Sequence, residues 1–256
     1  MSQQSVLYDW MEEVDRPVVA MAKSYPPQYE GYLHRHTRAQ LLYAVSGSIR
    51  MRCALGCWII PPQRAVWIPP QYPHQTGSIG PMEMRTLYVQ SEHSPAGAPT
   101  VPIMLGVSAL LRELILRVIG MPHEYDPAGQ DAAIVNATLG ELDWTPQSPI
   151  GLPAIEDARL QEMEQAIASV PSDRSSLEQW ATRLHMSPRT LTRLIREQTD
   201  LSFGQWRDQM RTFAAIPLLS EGCPLVEIAD AVGFETASSF TVMFKRMTGI
   251  LPSRYS

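Results

Sequence analysis

The chain has 256 residues, 21 lysines and arginines against 26 aspartates and glutamates, and a net charge of −5. Its 45% hydrophobic and 18% charged residues lie near globular averages, which excludes a disordered chain, and the length suits one large domain or two ordinary ones. The acidic sum argues against a polyanion partner but hides a division: residues 1–170 carry 11 basic and 17 acidic side chains, residues 171–256 carry 10 and 9, so a nucleic-acid contact is expected in the last third.

The N-terminus places Asp9, Glu12, Glu13 and Asp15 where a secretory signal would need a basic region and an apolar core. Three scattered cysteines, Cys53, Cys57 and Cys223, fit a reducing compartment, and the cytoplasm is the expected location. Cys53 and Cys57 read as ordinary buried thiols. From Tyr32 to Val89 short apolar or alternating runs predict strands at Gln40–Val45, Ser48–Cys53, Cys57–Ile60, Ala65–Ile68 and Met84–Val89, punctuated by glycine and proline. This is the pattern of an antiparallel sandwich or barrel. The most apolar stretch, Ile103 to Ile119, is interrupted by Arg112, Glu113 and Arg117, so no membrane span is expected. Instead Leu110, Leu111, Leu114, Ile115 and Val118 repeat at helical spacing, and a second helix is predicted over Gln130–Leu142. These two helices either cap the barrel or form the surface of a homodimer.

Within the strand-rich half, His34, His36, Arg38 and Gln40 share one face if the segment is extended, and His74 comes from another segment. Two imidazoles and the Gln40 amide can then point into the barrel with His74 and form a metal site for a divalent transition metal. The arrangement is similar to a cupin, whose motifs supply three histidines and a glutamate. Gln40 stands where that glutamate is usual, and a neutral amide is a weaker ligand than a carboxylate. Three readings stay open: a bound metal, a metal-free pocket using these groups as hydrogen-bond partners, and histidines with a structural role. Arg38, Tyr43, Trp58, Trp67 and Tyr88 are the candidate effector-binding residues, Arg38 as a partner for an anion, although aromatic residues in a small barrel are more often core.

Pro146, Pro149 and Pro153 space a linker, and a helix is predicted from Ile155 to Ser169. Beyond it the sequence repeats. Leu177, Trp180, Ala181 and Leu184 recur 48 residues later as Leu225, Ile228, Ala229 and Val232, and Leu191, Leu194 and Ile195 recur 49 residues later as Phe240, Met243 and Phe244. Two helix-turn-helix units are the economical reading. Ser175 with Glu178 is a predicted capping box, and Ser187-Pro188 an N-cap with proline in the first turn. Gly222 and Pro224 mark a boundary between helices, while Gly233 and Gly249 are predicted helix ends. Phe203–Ser220 joins the two units and contains Pro217, a predicted kink if the segment is one helix.

At about 100° per residue, Leu191, Leu194 and Ile195 face one side of the first unit's second helix, and Arg189, Thr192, Arg193 and Arg196 face the other. Four arginines and no acid lie between Arg183 and Arg196. A guanidinium fork can bond guanine O6 and N7 together or clamp a phosphate. Thr190 joins this set. In the second unit the outward set is Ser238, Ser239, Thr241, Val242, Lys245 and Arg246, fit for phosphate contacts and a thymine methyl.

Ile228 through Phe234, continuing through Ser238-Ser239-Phe240, Phe244-Lys245-Arg246, Gly249 and Pro252, resembles the AraC/XylS family of bacterial transcription regulators, as does Ser187-Pro188-Arg189-Thr190-Leu191. The family's motif continues past the position of Tyr255 with an arginine, where this sequence has Ser256, so no phosphate contact is expected there. The resemblance implies two helices of one chain in successive major-groove segments of promoter or operator DNA. The expected architecture is α+β: a cupin-like β-barrel with flanking helices over residues 1–143, a linker over 144–154, and an all-α double helix-turn-helix over 155–256. The expected function is a transcription activator or repressor whose barrel holds a small-molecule or metal effector, not an enzyme. Alternatives are a cupin metalloenzyme carrying a DNA-binding tail and a metal-sensing regulator.

Overall fold

The computed structural model describes residues 9–62, 64–147 and 150–254. Pro149, Tyr255 and Ser256, used in the linker and motif readings, lie outside these. The chain divides into two compact units, Met1–Met51 with Ile60–Pro149, and Arg52–Ile59 with Ile150–Ser256.

The first unit opens with α1 (Asp9–Glu13) and β1 (Val18–Tyr25), followed by β2 (Ala39–Ser46) and β3 (Ile49–Cys53). Next come β4 (Gly56–Ile60), whose first four residues fall in the second unit, and then β5 (Arg64–Ile68), β6 (His74–Ser78), β7 (Met82–Val89) and β8 (Ile103–Gly106). A five-stranded sheet runs in the order β1, β7, β2, β5, β8, with its pairs antiparallel. β6 lies beside β3 in a second sheet. The five predicted strands are present. β1, β6 and β8 were not predicted, and β6, His-Gln-Thr-Gly-Ser, shows why: it has no apolar residue to reveal a period.

Alternation on β2 sorts side chains to two faces. Leu41 and Tyr43, with Trp67, Leu87 and Val89, pack against Leu111, Ile115 and Val118 of α2 (Ala109–Ile119) and Val135 of α3 (Gln130–Gly140). Gln40, one residue out of phase, faces the opposite way, across from Tyr88 on β7.

In the second unit β9 (Ile150–Pro153) pairs antiparallel with β4, so part of the proline-spaced segment is a strand. Gly151 is required there, because a Cβ would meet the Trp58 backbone and ring at 2.9 Å. Six helices follow: α4 (Ala158–Ser169), α5 (Leu177–Arg183), α6 (Pro188–Thr199), α7 (Phe203–Ser220), α8 (Leu225–Ala231) and α9 (Ala237–Thr248). Leu160, Met163 and Ile167 of α4 close a core with Trp180, Leu191, Ile195 and Trp206. α7 is continuous and carries Pro217 in its interior.

The duplication is visible in the element starts, with α8 beginning 48 residues after α5 and α9 49 residues after α6. The two turns share their hydrogen bonding: Met186 N–H donates to Ala181 O at 2.9 Å, and Phe234 N–H to Ala229 O at 2.8 Å. His185 (φ 53°) and Gly233 (φ +83°) both occupy the left-handed region in these turns. One boundary differs from expectation. The capping box is Ser176 with Gln179, not Ser175 with Glu178, because Asp173 Oδ1 already accepts the Ser175 N–H at 2.5 Å and the chain turns there.

Candidate functional site

The outward face of the second unit follows from its core. Leu191 and Ile195 of α6 are fully buried, while Arg189, Thr192, Arg193 and Arg196 are exposed on the opposite side. Ser187 caps α6 by accepting the Thr190 N–H at 3.1 Å and meets the Thr190 hydroxyl at 2.8 Å, so Thr190 anchors the helix start. Arg193 Nη1 donates to Glu197 Oε1 at 2.8 Å, an exposed i,i+4 pair that holds this guanidinium partly neutralised. In α9, Phe240 and Phe244 are buried and Ser238, Ser239, Val242, Lys245 and Arg246 are exposed, with Thr241 half-buried. Val242 is 69% exposed, a large apolar group displayed among hydroxyls and cations. Ser239 donates its N–H to Thr236 Oγ1 in the α9 cap, and Arg246 is paired with Asp208 of α7.

In the first unit, His34, His36 and His74 converge, with one ligand nitrogen of each within 4.8 Å of the others. Only Gln40 of the four expected ligands sits in a long strand. His34 and His74 meet through an isolated antiparallel bridge between the segment before β2 and the start of β6. Each ring commits Nδ1 to a backbone carbonyl two residues away: His34 to Tyr32 O at 2.9 Å, His36 to Arg38 O at 2.5 Å and His74 to Tyr72 O at 2.9 Å. Such a bond fixes the tautomer and leaves Nε2 with a lone pair, as metal-binding histidines require. The buried His74 Nε2 has no hydrogen-bond partner among the described residues. His36 Nε2 lies 3.2 Å from Gln40 Oε1. Both atoms are acceptors once Nδ1 carries the proton, and a cation between them would satisfy both.

The electrostatics favour neutral rings. Burial, with the neighbouring imidazoles adding to it, pushes the His74 pKa down to about 3, and burial lowers that of His36. Gln40 is oriented from behind: its Nε2 donates to Thr86 Oγ1 at 2.9 Å and to the Tyr88 hydroxyl at 3.2 Å. Thr86 was not singled out from sequence, although its place two residues before Tyr88 on one strand face is the signal that finds it. The donor set of three imidazoles and one amide suits a borderline divalent transition metal.

The expected effector residues separate. Tyr88 belongs to the histidine cluster, its ring 5.2 Å from that of His36. Tyr43 and Trp67 lie on the other sheet face in the helix-packed core, Trp67 against Trp144. Trp58 belongs to the second unit, opposite Gly151. Arg38 is buried, and its guanidinium donates to Arg16 O at 2.8 Å and Val14 O at 2.5 Å, so it fastens the N-terminal segment.

Residues 180–256 match the family described as a helix-turn-helix domain, and residues 17–98 match the AraC-like ligand binding domain. The chain is 32% identical over 223 residues to the HTH-type transcriptional regulator NimR of Escherichia coli K12, covering 87% of this chain and 81% of that protein. It is 38% identical over 114 residues to the HTH-type transcriptional regulator RipA of Corynebacterium glutamicum, 44% of this chain and 33% of that one. Among solved structures, ToxT of Vibrio cholerae is similar at 12% identity and a TM-score of 0.39, covering 94% of this chain and 98% of that one.

Proposed function

The chain belongs to the AraC family of transcriptional regulators, and from that membership we propose that α6 and α9 read operator DNA while the histidine cluster holds the effector site. The observation that carries this reading is the repeated helix-turn-helix, each copy burying one side of its second helix and displaying the other. On α6, Arg189, Arg193 and Arg196 supply guanidinium forks for guanine edges or phosphates. On α9, Val242 offers a methyl contact to thymine, and Ser238, Thr241 and Lys245 fix register on the backbone. Thr190 and Ser239 hold the two helix starts in place. Fluorescence anisotropy with a duplex from the native upstream region tests the assignment. Arg193→Ala is expected to weaken binding by about 1–3 kcal/mol; affinity equal to wild type would sink the role of α6.

For the effector site, His34, His36 and His74 with Gln40 would hold a divalent transition metal, and the buried, partnerless His74 Nε2 is the feature that supports it. Such a metal would supply a positive charge and Lewis acidity at this cluster. The residues themselves bind and orient: three backbone carbonyls fix the ring tautomers, and Thr86 and Tyr88 aim the amide oxygen. The output is DNA affinity and not turnover, in the cytoplasm. The chain acts as a homodimer through α2 and α3, where Leu110 is 56% exposed. Effector binding changes how the recognition helices are presented. Metal analysis of purified protein gives about one ion per chain in this reading, lost in His74→Ala.

A further inference from the structure

α7 carries Arg207 and Arg211 one turn apart. Both are tied to the segment before α5: Arg207 Nη1 donates to Ser175 O and Arg211 Nη2 to Asp173 O, each at 3.1 Å. Arg174 comes from that same segment. The three guanidinium groups line one hollow of about 310 Å³, together with Gly233, Phe234, Glu235 and Ser239. Gly233 makes room for it, since a Cβ there would lie 2.8 Å from Arg211 Nη2. Ser239 brings the first turn of the 12-residue α9, whose peptide N–H ends add positive potential.

Three like charges in one place are costly unless anions offset them, and at Arg211 the attraction of Asp208 and Asp173 is opposed by the repulsion of Arg207 and Arg174. Arg211 is only 7% exposed, and its Nε and that of Arg207 are buried without a hydrogen-bond partner. Three carboxylates stand nearby, Glu235 in the lining itself, and each is paired with an arginine. Asp173 pairs with Arg183 at 3.3 Å, Asp208 with Arg246, and Glu235, 82% exposed at its side chain, meets Arg174 at 3.2 Å. Stacking of Arg207 over Phe203 and Arg211 over Phe234 accounts for where those side chains run. It does not account for the buried Nε–H groups, which have no partner among the described residues, or for the third guanidinium.

We propose that the hollow lined by Arg174, Arg207 and Arg211 binds a phosphate group. Guanidinium forks match a tetrahedral oxyanion, and their charge stays fixed at every working pH. The phosphate is either one from the backbone of bound DNA or the phosphoryl group of a free small molecule, and the chemistry of capture is the same.

Calorimetric titration of the metal-depleted full chain with inorganic phosphate at low chloride tests it. One saturable site per chain is expected, weakened about tenfold or more in Arg174→Gln and Arg207→Gln and unchanged in Arg159→Gln, an exposed residue of α4. Arg174 is exposed, so its removal leaves the fold intact by circular dichroism even if Arg207→Gln does not. Repeating the titration on chain saturated with operator duplex separates the sources. Loss of phosphate binding identifies a DNA backbone phosphate, and then Arg174→Gln lowers the slope of log K against log salt by about 0.9. Retained binding identifies a free phosphorylated ligand. Absent phosphate binding with an unchanged salt slope in Arg174→Gln, or wild-type phosphate binding in both variants, overturns the proposal.

Discussion

Arg193 illustrates how a neighbour tunes a proposed contact residue. Its guanidinium is held by Glu197 one turn later in α6, and that carboxylate must be displaced or shared when DNA arrives. Glu197→Gln is therefore expected to tighten DNA binding several-fold at low salt, a gain that anisotropy would show fading as salt screens the field. The histidines give a pH prediction for metal-free protein. Burial holds the folded pKa of His36 below the ordinary 6.5 and that of His74 at about 3, so the unfolded chain takes up protons first as pH falls. Stability from these groups is fully present above pH 6.5 and declines below it, for His74 down towards pH 3 by up to about 1.4 kcal/mol per pH unit. Urea melts across that range measure it, and His74→Gln, which cannot take up the proton, is expected to flatten the decline. Gln40 was legible as a barrel-facing residue because alternation along β2 dictates its side; Arg38 was not, because its guanidinium leaves that face for the carbonyls of Val14 and Arg16.

Helices α5 and α6 show what caps and turns contribute. Ser176 and Gln179 bond reciprocally at the start of α5, so Ser176→Ala is expected to cost about 1 kcal/mol in a denaturant melt, while Ser175→Ala leaves that cap intact. At their shared left-handed position the two turns carry different residue types. Gly233 adopts φ +83° without steric penalty, whereas His185 is forced to φ 53°. His185→Gly is expected to stabilise the first helix-turn-helix by about 0.5–1 kcal/mol with DNA affinity retained. Sequence periodicity located the helices because each buries a continuous stripe. It missed β6 and β9 because their backbone pairing, not their own side chains, makes them strands.

Each of the two units has its own core, and they are expected to respond separately. Trp206 is fully buried among Trp180, Leu191 and Ile195, so Trp206→Ala should cost about 3–5 kcal/mol and melt the helical unit while the strand-rich unit keeps its own transition. Removing metal by chelation should lower the melting temperature of the strand-rich unit alone, as mass action requires of a ligand bound only to folded protein. The chain's regulatory architecture was readable from residue order: charge division, duplicated helical stripes, N-caps and arginine-rich outward faces are local patterns, and periods of 3.6 and 2 decide which side of an element each residue occupies. Tertiary structure alone decided the rest. His74 meets His34 and His36 across the fold, Tyr43 and Trp67 turn to the helix-packed face, and Arg174 joins Arg207 and Arg211 around one hollow. The reason is that a period places a side chain on a face, whereas a site needs atoms from distant segments brought within bonding distance, and only chain closure sets that.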